Sequence, residues 1–140
     1  MQEQEIFINA ENAVAGRLAS FVAKKALQGD KVIVFNSERA IMTGNPKGVF
    51  DKYVKKLDLG RIAQKGPKLP RRAEMILRRM IRGMLPWKRT SGREAYRRIK
   101  CYIGIPEEYQ NKDIKMIKIE KKITSNSISL GEMSKLIRQK

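Results

Sequence analysis

Arginine is concentrated in the middle of this 140-residue chain in a pattern that suits phosphate binding. Between positions 55 and 100, sixteen basic side chains stand against three acidic ones, so this segment carries +13 of the chain's net charge of +17. Such a concentration of charge opposes compaction unless a polyanion neutralises it. Between positions 71 and 98 there are nine arginines and one lysine. Because the planar guanidinium binds phosphate bidentately and stacks on bases, a nucleic acid is the predicted partner.

The candidate nucleic-acid-binding residues are basic side chains of this segment that lie in a predicted loop, in two predicted helices and between those helices. They are Arg61, Lys65, Lys68, Arg71, Arg72, Arg78, Arg79, Arg82, Lys88, Arg89, Arg93, Arg97 and Arg98. A solvated helix face is the simpler alternative, but such a face usually mixes charges of both signs. Trp87, Tyr96 and Tyr102 lie among the basic residues, where they could stack on unpaired bases or belong to the core.

The residue types that enzymes use for acid–base, nucleophilic or metal chemistry are scarce. The chain has no histidine and one cysteine, Cys101, so a thiol lacks an activating imidazole and a zinc site lacks ligands. Glu107 and Glu108 are adjacent and would point apart on a helix or strand, which favours a solvated loop over a catalytic dyad. We therefore predict no catalytic residue, no metal and no cofactor.

Two glycine-containing stretches resemble phosphate-binding loops only superficially. Gly16 lies inside the first predicted helix, and residues 44–48 (GNPKG) follow a short apolar segment. Neither has the spacing of a P-loop or of a dinucleotide-binding fingerprint. We interpret Gly16 as a position of close packing between helix and sheet, and residues 44–48 as a turn.

Length and composition indicate one soluble domain spanning residues 1–140. A chain of this length with 41% apolar residues can bury a real core. The chain has no apolar run of the roughly 18 residues that a membrane span needs, and its acidic, polar start is unlike a secretory signal. The expected location is the cytosol.

The first third of the chain predicts a βαβ unit. Residues 5–9 and 31–36 are short runs rich in β-formers, and the helix between them, at 14–27, is expected to be capped by Asn12. The consecutive apolar residues of the second strand are typical of a parallel sheet that is covered on both faces. A short helix is expected over residues 49–54.

The basic part of the chain predicts an extended loop and two helices. The loop, at about 57–70, contains glycines, prolines and basic residues without a core pattern. Residues 71–85 form the clearest helix. Its apolar stripe comprises Ala73, Ile76, Leu77, Met80, Ile81 and Met84. A second basic helix should run to Ile99, capped by Thr90 or Ser91.

The remainder of the chain predicts two strands and a closing helix. The strands are expected at 100–104 and 116–119. The helix is expected at 129–138, with its inward residues at Leu130, Met133, Leu136 and Ile137.

Several motifs, in order along the chain, resemble the large-subunit ribosomal protein L13 family. They are residues 12–20 (NAVAGRLAS), 34–38 (VFNSE), 41–44 (IMTG), 65–67 (KGP), 82–86 (RGMLP), Arg93 and 102–106 (YIGIP). Bacterial members often have histidine at the position of Ile105, and eukaryotic members tend to continue further at the C-terminus. Both departures favour the archaeal branch.

The resemblance implies a three-layer α/β/α fold with a small, mainly parallel four-stranded sheet. It also implies a structural role in the large ribosomal subunit, with ribosomal RNA and neighbouring ribosomal proteins as partners, and neither catalysis nor a cofactor. Two alternatives remain open at this point. One is an RNA- or nucleotide-modifying enzyme on a Rossmann-like core, and the other is an RNA-binding regulator that acts outside the ribosome.

Overall fold

The computed structural model of the protein describes residues 4–59, 68–119 and 125–139. The strands are β1 (Glu5–Asn9), β2 (Lys31–Phe35), β3 (Ile41–Thr43), β4 (Ile99–Cys101), β5 (Met116–Lys118) and β6 (Ser127–Ser129). The helices are α1 (Ala15–Leu27), α2 (Pro46–Asp58), α3 (Ala73–Gly83), α4 (Thr90–Arg97), α5 (Glu107–Gln110) and α6 (Leu130–Arg138). A 3₁₀ turn at Ser37–Arg39 follows β2.

The core of the fold is a four-stranded parallel sheet in the order β4-β2-β1-β5, and β3 and β6 form a separate two-stranded sheet. Strands β1 and β2 pair in parallel, with Ile6 opposite Val32 and Ile8 opposite Val34, and α1 connects them. This is the predicted βαβ unit. Residues 32–35 are buried throughout, as expected for a central strand that is covered on both faces. The predicted parallel sheet of four strands is confirmed.

Helices α1, α3, α4 and α6 form the layer on one face of the sheet. The side chains of Ile8, Val32, Val34 and Ile99 face this layer and belong to one continuous core with the buried sides of α1, α3 and α6. Helix α3 contacts α1, α6 and β4, which places it in the middle of the layer. One side of α3 is therefore fixed by the core, and the other is left for solvent or a partner.

Aromatic side chains cover the opposite face of the sheet. Phe7 and Phe35 stack with their ring centroids 6.1 Å apart, and Tyr102 lies 6.2 Å from Phe35. Tyr109, from the short helix α5, packs against Phe7 at 5.8 Å and against Phe35 at 5.3 Å. The architecture is thus the three-layer α/β/α arrangement expected, with α5 contributing to the thinner layer.

Two expectations about the start of α1 are wrong. Asn12 does not cap the helix, because its backbone is left-handed (φ 56°) and Val14 is the residue at the N-cap. Gly16 is not a close-packing position, since a Cβ built on it would meet no atom within 4 Å. The small residues of α1 that do pack at the core are Ala15, Ala19, Ala23 and Ala26, all of them buried.

Residues 44–48 are only partly a turn. Gly44 makes the turn with φ +124°, but the side chain of Asn45 accepts a hydrogen bond from the Lys47 amide, and α2 begins at Pro46. Proline at this position costs no helical hydrogen bond, because the first amides of a helix have no intrahelical acceptor. Helix α2 consequently starts earlier and ends later than the predicted helix at 49–54.

The last strands and helix differ from the prediction in their details. The predicted strand at 100–104 runs only from Ile99 to Cys101. Beyond it the chain turns, and Gly104 takes a φ of +63°. The carbonyl oxygens of Tyr102 and Gly104 accept hydrogen bonds from the backbone amides of residues 37 and 36. In α6, Leu130, Met133 and Ile137 are buried as predicted, whereas Leu136 is 43% exposed. Ser129 caps α6 through a capping box with Glu132.

Candidate nucleic-acid interface

Helix α3 separates an apolar side from a cationic side, but it is shorter than the predicted helix at 71–85. Its N-cap is Arg72, which has an extended backbone, and its last residue is Gly83. The carbonyl oxygen of Arg71 accepts a hydrogen bond of 2.6 Å from the Ser134 hydroxyl, so this segment is tied to α6. Arg71 and Arg72 therefore precede α3 and do not belong to it. Together with the arginines of α3 and α4 they form an exposed basic region, which we call the cationic surface.

The apolar stripe of α3 is confirmed for most of its members. Leu77 and Ile81 are fully buried, and Ala73 and Ile76 are 2% exposed. Met80 is half-buried against the core, while Met84 lies beyond the helix and is 45% exposed, so its assignment to the stripe is wrong.

Two arginines of the other side stack on aromatic rings. The guanidinium carbon of Arg78 lies 4.5 Å from the centroid of the Tyr96 ring, and that of Arg82 lies 4.0 Å from the centroid of the Trp87 ring. The two rings meet edge to face, with centroids 5.2 Å apart. We call these four residues the arginine–aromatic ladder. Cation–π contacts of this kind hold the guanidiniums in place before any partner binds.

Arg93 extends the ladder by fixing the backbone of Trp87. Its Nε donates a hydrogen bond of 3.1 Å to the Trp87 carbonyl oxygen. The turn around Trp87 also packs closely on α4, since a Cβ built on Gly92 would lie 2.2 Å from the carbonyl oxygen of Pro86. The position of Trp87 relative to α4 is therefore set by the absence of a side chain at Gly92.

The structure places the three aromatic residues in two different environments. Trp87 is 36% exposed and Tyr96 is half-buried, and both lie in the ladder among the arginines. Tyr102 belongs to the aromatic cluster on the other side of the sheet. Only Trp87 and Tyr96 therefore have a place in the cationic surface.

The remaining candidate residues differ in accessibility. Arg79, in α3, is exposed, and Arg98, at the end of α4, is half-buried. The others that the structure describes are exposed: Lys68, Arg71, Arg72, Lys88, Arg89, Arg93 and Arg97. Arg61 and Lys65 lie outside the described residues, as does most of the loop predicted at 57–70. The described candidates cluster along α3, α4 and the segments that flank them.

Sequence reasoning missed the role of Glu74. This side chain is buried, and its Oε1 lies 2.7 Å from the Nε of Arg72, which is itself exposed. Glu74 is thus a local anchor for one arginine and does not neutralise the surface as a whole. The only sequence signal for this role is an acidic residue in the first helical turn, where carboxylates are generally favoured.

Cys101 is the last residue of β4 and is half-buried, where the sequence predicts a buried thiol without an activating histidine. Burial raises the pKa of its thiol to about 12, from an ordinary value of 9.0. The folded protein therefore keeps the proton at pH 8, where a thiolate would be needed for nucleophilic attack.

We expect iodoacetamide to alkylate Cys101 slowly in the folded protein at pH 8 and rapidly in denaturant, as measured by mass spectrometry. The unfolded thiol loses its proton near pH 9, whereas the folded thiol keeps it until about pH 12. The free energy of unfolding should therefore fall as the pH rises from about 9 to about 12. Equal alkylation rates in the two states would contradict the raised pKa of the folded thiol.

Within the described residues, no group of three or more His, Cys, Asp or Glu side chains is placed to hold a metal ion. No helix in this part of the chain is long and apolar enough to cross a membrane. The fold and the surface together define a small basic α/β protein whose arginines are displayed by helices packed on a parallel sheet.

Comparisons with known proteins identify the family. The sequence profile of ribosomal protein L13 matches residues 3–108. The large ribosomal subunit protein uL13 of Methanococcus maripaludis is 51% identical over 105 residues, covering 73% of this chain and 77% of the relative. The uL13 protein of Archaeoglobus fulgidus is 41% identical over 136 residues, covering 93% and 85%. That of Methanocaldococcus jannaschii is 42% identical over 132 residues, covering 91% and 93%.

The chain belongs to the ribosomal protein L13 family. The family and the relatives are ribosomal structural proteins, so the protein is not an enzyme, and the alternative of a modifying enzyme is excluded. The relatives are archaeal, in agreement with the branch that the motifs indicated.

Proposed function

We propose that the protein is a structural constituent of the large ribosomal subunit that binds ribosomal RNA through α3, α4 and the segments flanking them. The observation that carries this proposal is the arginine–aromatic ladder: the guanidiniums of Arg78 and Arg82 are held by the rings of Tyr96 and Trp87, on the helix that also exposes Arg79. Neighbouring ribosomal proteins would be its other partners, and the cytoplasmic ribosome its location.

The charge distribution supports RNA over an acidic protein as the principal ligand. The buried Glu74 pairs with Arg72, whereas Arg79 and Arg82 form no ion pair within the described residues. Arginine offers a planar fork to phosphate and a flat face to bases, and both are features of RNA. The basic residues of the loop predicted at 57–70, among them Arg61 and Lys65, would add further phosphate contacts.

Sedimentation tests this assignment against a regulatory role outside the ribosome. A structural constituent should co-sediment with the large subunit at one copy per subunit after a wash at moderate salt. A protein found mainly in the ribosome-free fraction, or bound to large subunits at well below one copy each, would contradict the proposal.

Binding to a large-subunit RNA fragment should weaken steeply with salt. Each neutralised phosphate contributes about 0.7–0.9 to the slope of log affinity against log salt concentration, so four contacts predict a slope of roughly −3. Filter binding or fluorescence anisotropy at several salt concentrations gives this slope. A slope near zero would show that phosphate contacts do not dominate.

A further inference from the structure

A small open pocket lies where α3 ends, next to the arginine–aromatic ladder. Its volume is about 250 Å³, and its lining residues are Arg79, Arg82, Gly83, Leu85 and Trp87. We propose that this pocket binds one unpaired RNA base, stacked against the Trp87–Arg82 pair. The inference rests on the proposed function and specifies which part of the RNA this site recognises.

The walls of the pocket suit a flat aromatic ligand. Trp87 keeps 36% of its surface exposed although Arg82 lies over its ring and Tyr96 meets it edge to face. A guanidinium stacked on an indole has a second flat face, and RNA bases stack on both aromatic rings and guanidinium planes. The pocket therefore offers two adjoining stacking surfaces that are already ordered.

The pocket also suits an unpaired nucleotide better than a duplex. Its volume is that of a small cleft, whereas a paired base is stacked inside a helix and cannot enter. Arg79 is exposed at the pocket and can contact the phosphate of the same nucleotide while the base is inside. The expected ligand is thus a base extruded from a loop, bulge or strand end.

Gly83 leaves the pocket open. A Cβ built on this residue would meet no atom within 4 Å, so the glycine is not needed for packing. Gly83 closes α3 without a positive φ, and a larger residue fits its backbone. Gly83 lines the pocket together with Trp87, so Gly83→Leu is a variant designed to fill the pocket without disturbing the core.

The fluorescence of Trp87 reports directly on this pocket, because it is the only tryptophan in the chain. The wild-type protein is titrated with a short single-stranded oligoadenylate and with an abasic oligonucleotide of equal length and charge. We expect both ligands to bind at low salt, but only the oligoadenylate to quench the fluorescence. Equal quenching by the two ligands, or binding of both without any quenching, would overturn the proposal.

Variants provide a second readout that does not depend on tryptophan emission. By anisotropy of labelled ligands, Gly83→Leu should lose roughly 5- to 140-fold in affinity for the oligoadenylate, the effect of one stacked base, and should bind the abasic ligand normally. The matched control is Gly16→Leu, a helical glycine that likewise has open space around it, and it should bind both ligands like wild type. Unchanged oligoadenylate affinity in Gly83→Leu would count against the pocket.

The outcomes separate this inference from the proposed function. If wild-type protein binds neither ligand nor large-subunit RNA, RNA binding itself is wrong and the inference fails with it. If it binds RNA fragments but shows no dependence on bases, only the inference fails. Should Gly83→Leu not fold, the comparison of oligoadenylate and abasic ligand on wild-type protein still decides.

Discussion

Leu77→Ala is expected to lower the free energy of unfolding by about 2–5 kcal/mol. Leu77 is fully buried on the core side of α3, the helix that contacts α1, α6 and β4 together. Truncation would remove its apolar contacts and leave a cavity that the surrounding elements fill only in part. Urea unfolding followed by circular dichroism gives the change in free energy.

Met75→Ala is the control for Leu77→Ala on the same helix. Met75 is 40% exposed, and alanine favours the helix, so this variant should change stability by no more than about 0.5 kcal/mol. A loss below about 1 kcal/mol for Leu77→Ala would mean that α3 is not anchored where the structure places it.

The local pattern of apolar residues was sufficient to predict a strand or helix, and its buried side, where that pattern lies within the element itself. The apolar run at 32–35 indicated a strand covered on both faces, and the spacing of Ile76, Leu77 and Ile81 indicated the buried side of α3. Both are confirmed, because burial repeats with the period of the element itself.

Features that depend on distant partners could not be predicted in this way. Strands β3 and β6 are three residues each and pair antiparallel although they lie far apart in the sequence, with Met42 opposite Ile128. Three residues are too few to show a period. Likewise Leu136 fits the helical spacing of α6, but whether it meets the core depends on where α3 lies.

The candidate site shows the same division. Composition identified the arginines and the aromatic residues, and the spacing in α3 put the arginines on one side. It did not show that Arg78 stacks on Tyr96, a residue of another helix. The buried Nε of Arg78 makes no hydrogen bond within the described residues, so this arginine is part of the packing as well as of the charge. Arg79, which is exposed, is the better position for testing charge alone.

Gly92→Ala is expected to destabilise the protein by about 3 kcal/mol, the upper end of the usual cost of overpacking. An added Cβ would lie 2.2 Å from the carbonyl oxygen and 2.5 Å from the carbonyl carbon of Pro86. Because these are backbone atoms, a rotamer change cannot relieve the clash. The turn must move away from α4, and Trp87 moves with it.

Gly83→Ala is the control for Gly92→Ala, because it replaces a helical glycine by alanine without a steric clash. Its Cβ has open space, so it should leave stability unchanged or raise it by up to about 1 kcal/mol. Thermal melts compare the two variants, and the emission of Trp87 reports whether the turn has moved. If Gly92→Ala melts like Gly83→Ala with unchanged emission, the turn is not held against α4. The ladder would then lack the rigid support on which the proposed recognition of RNA depends.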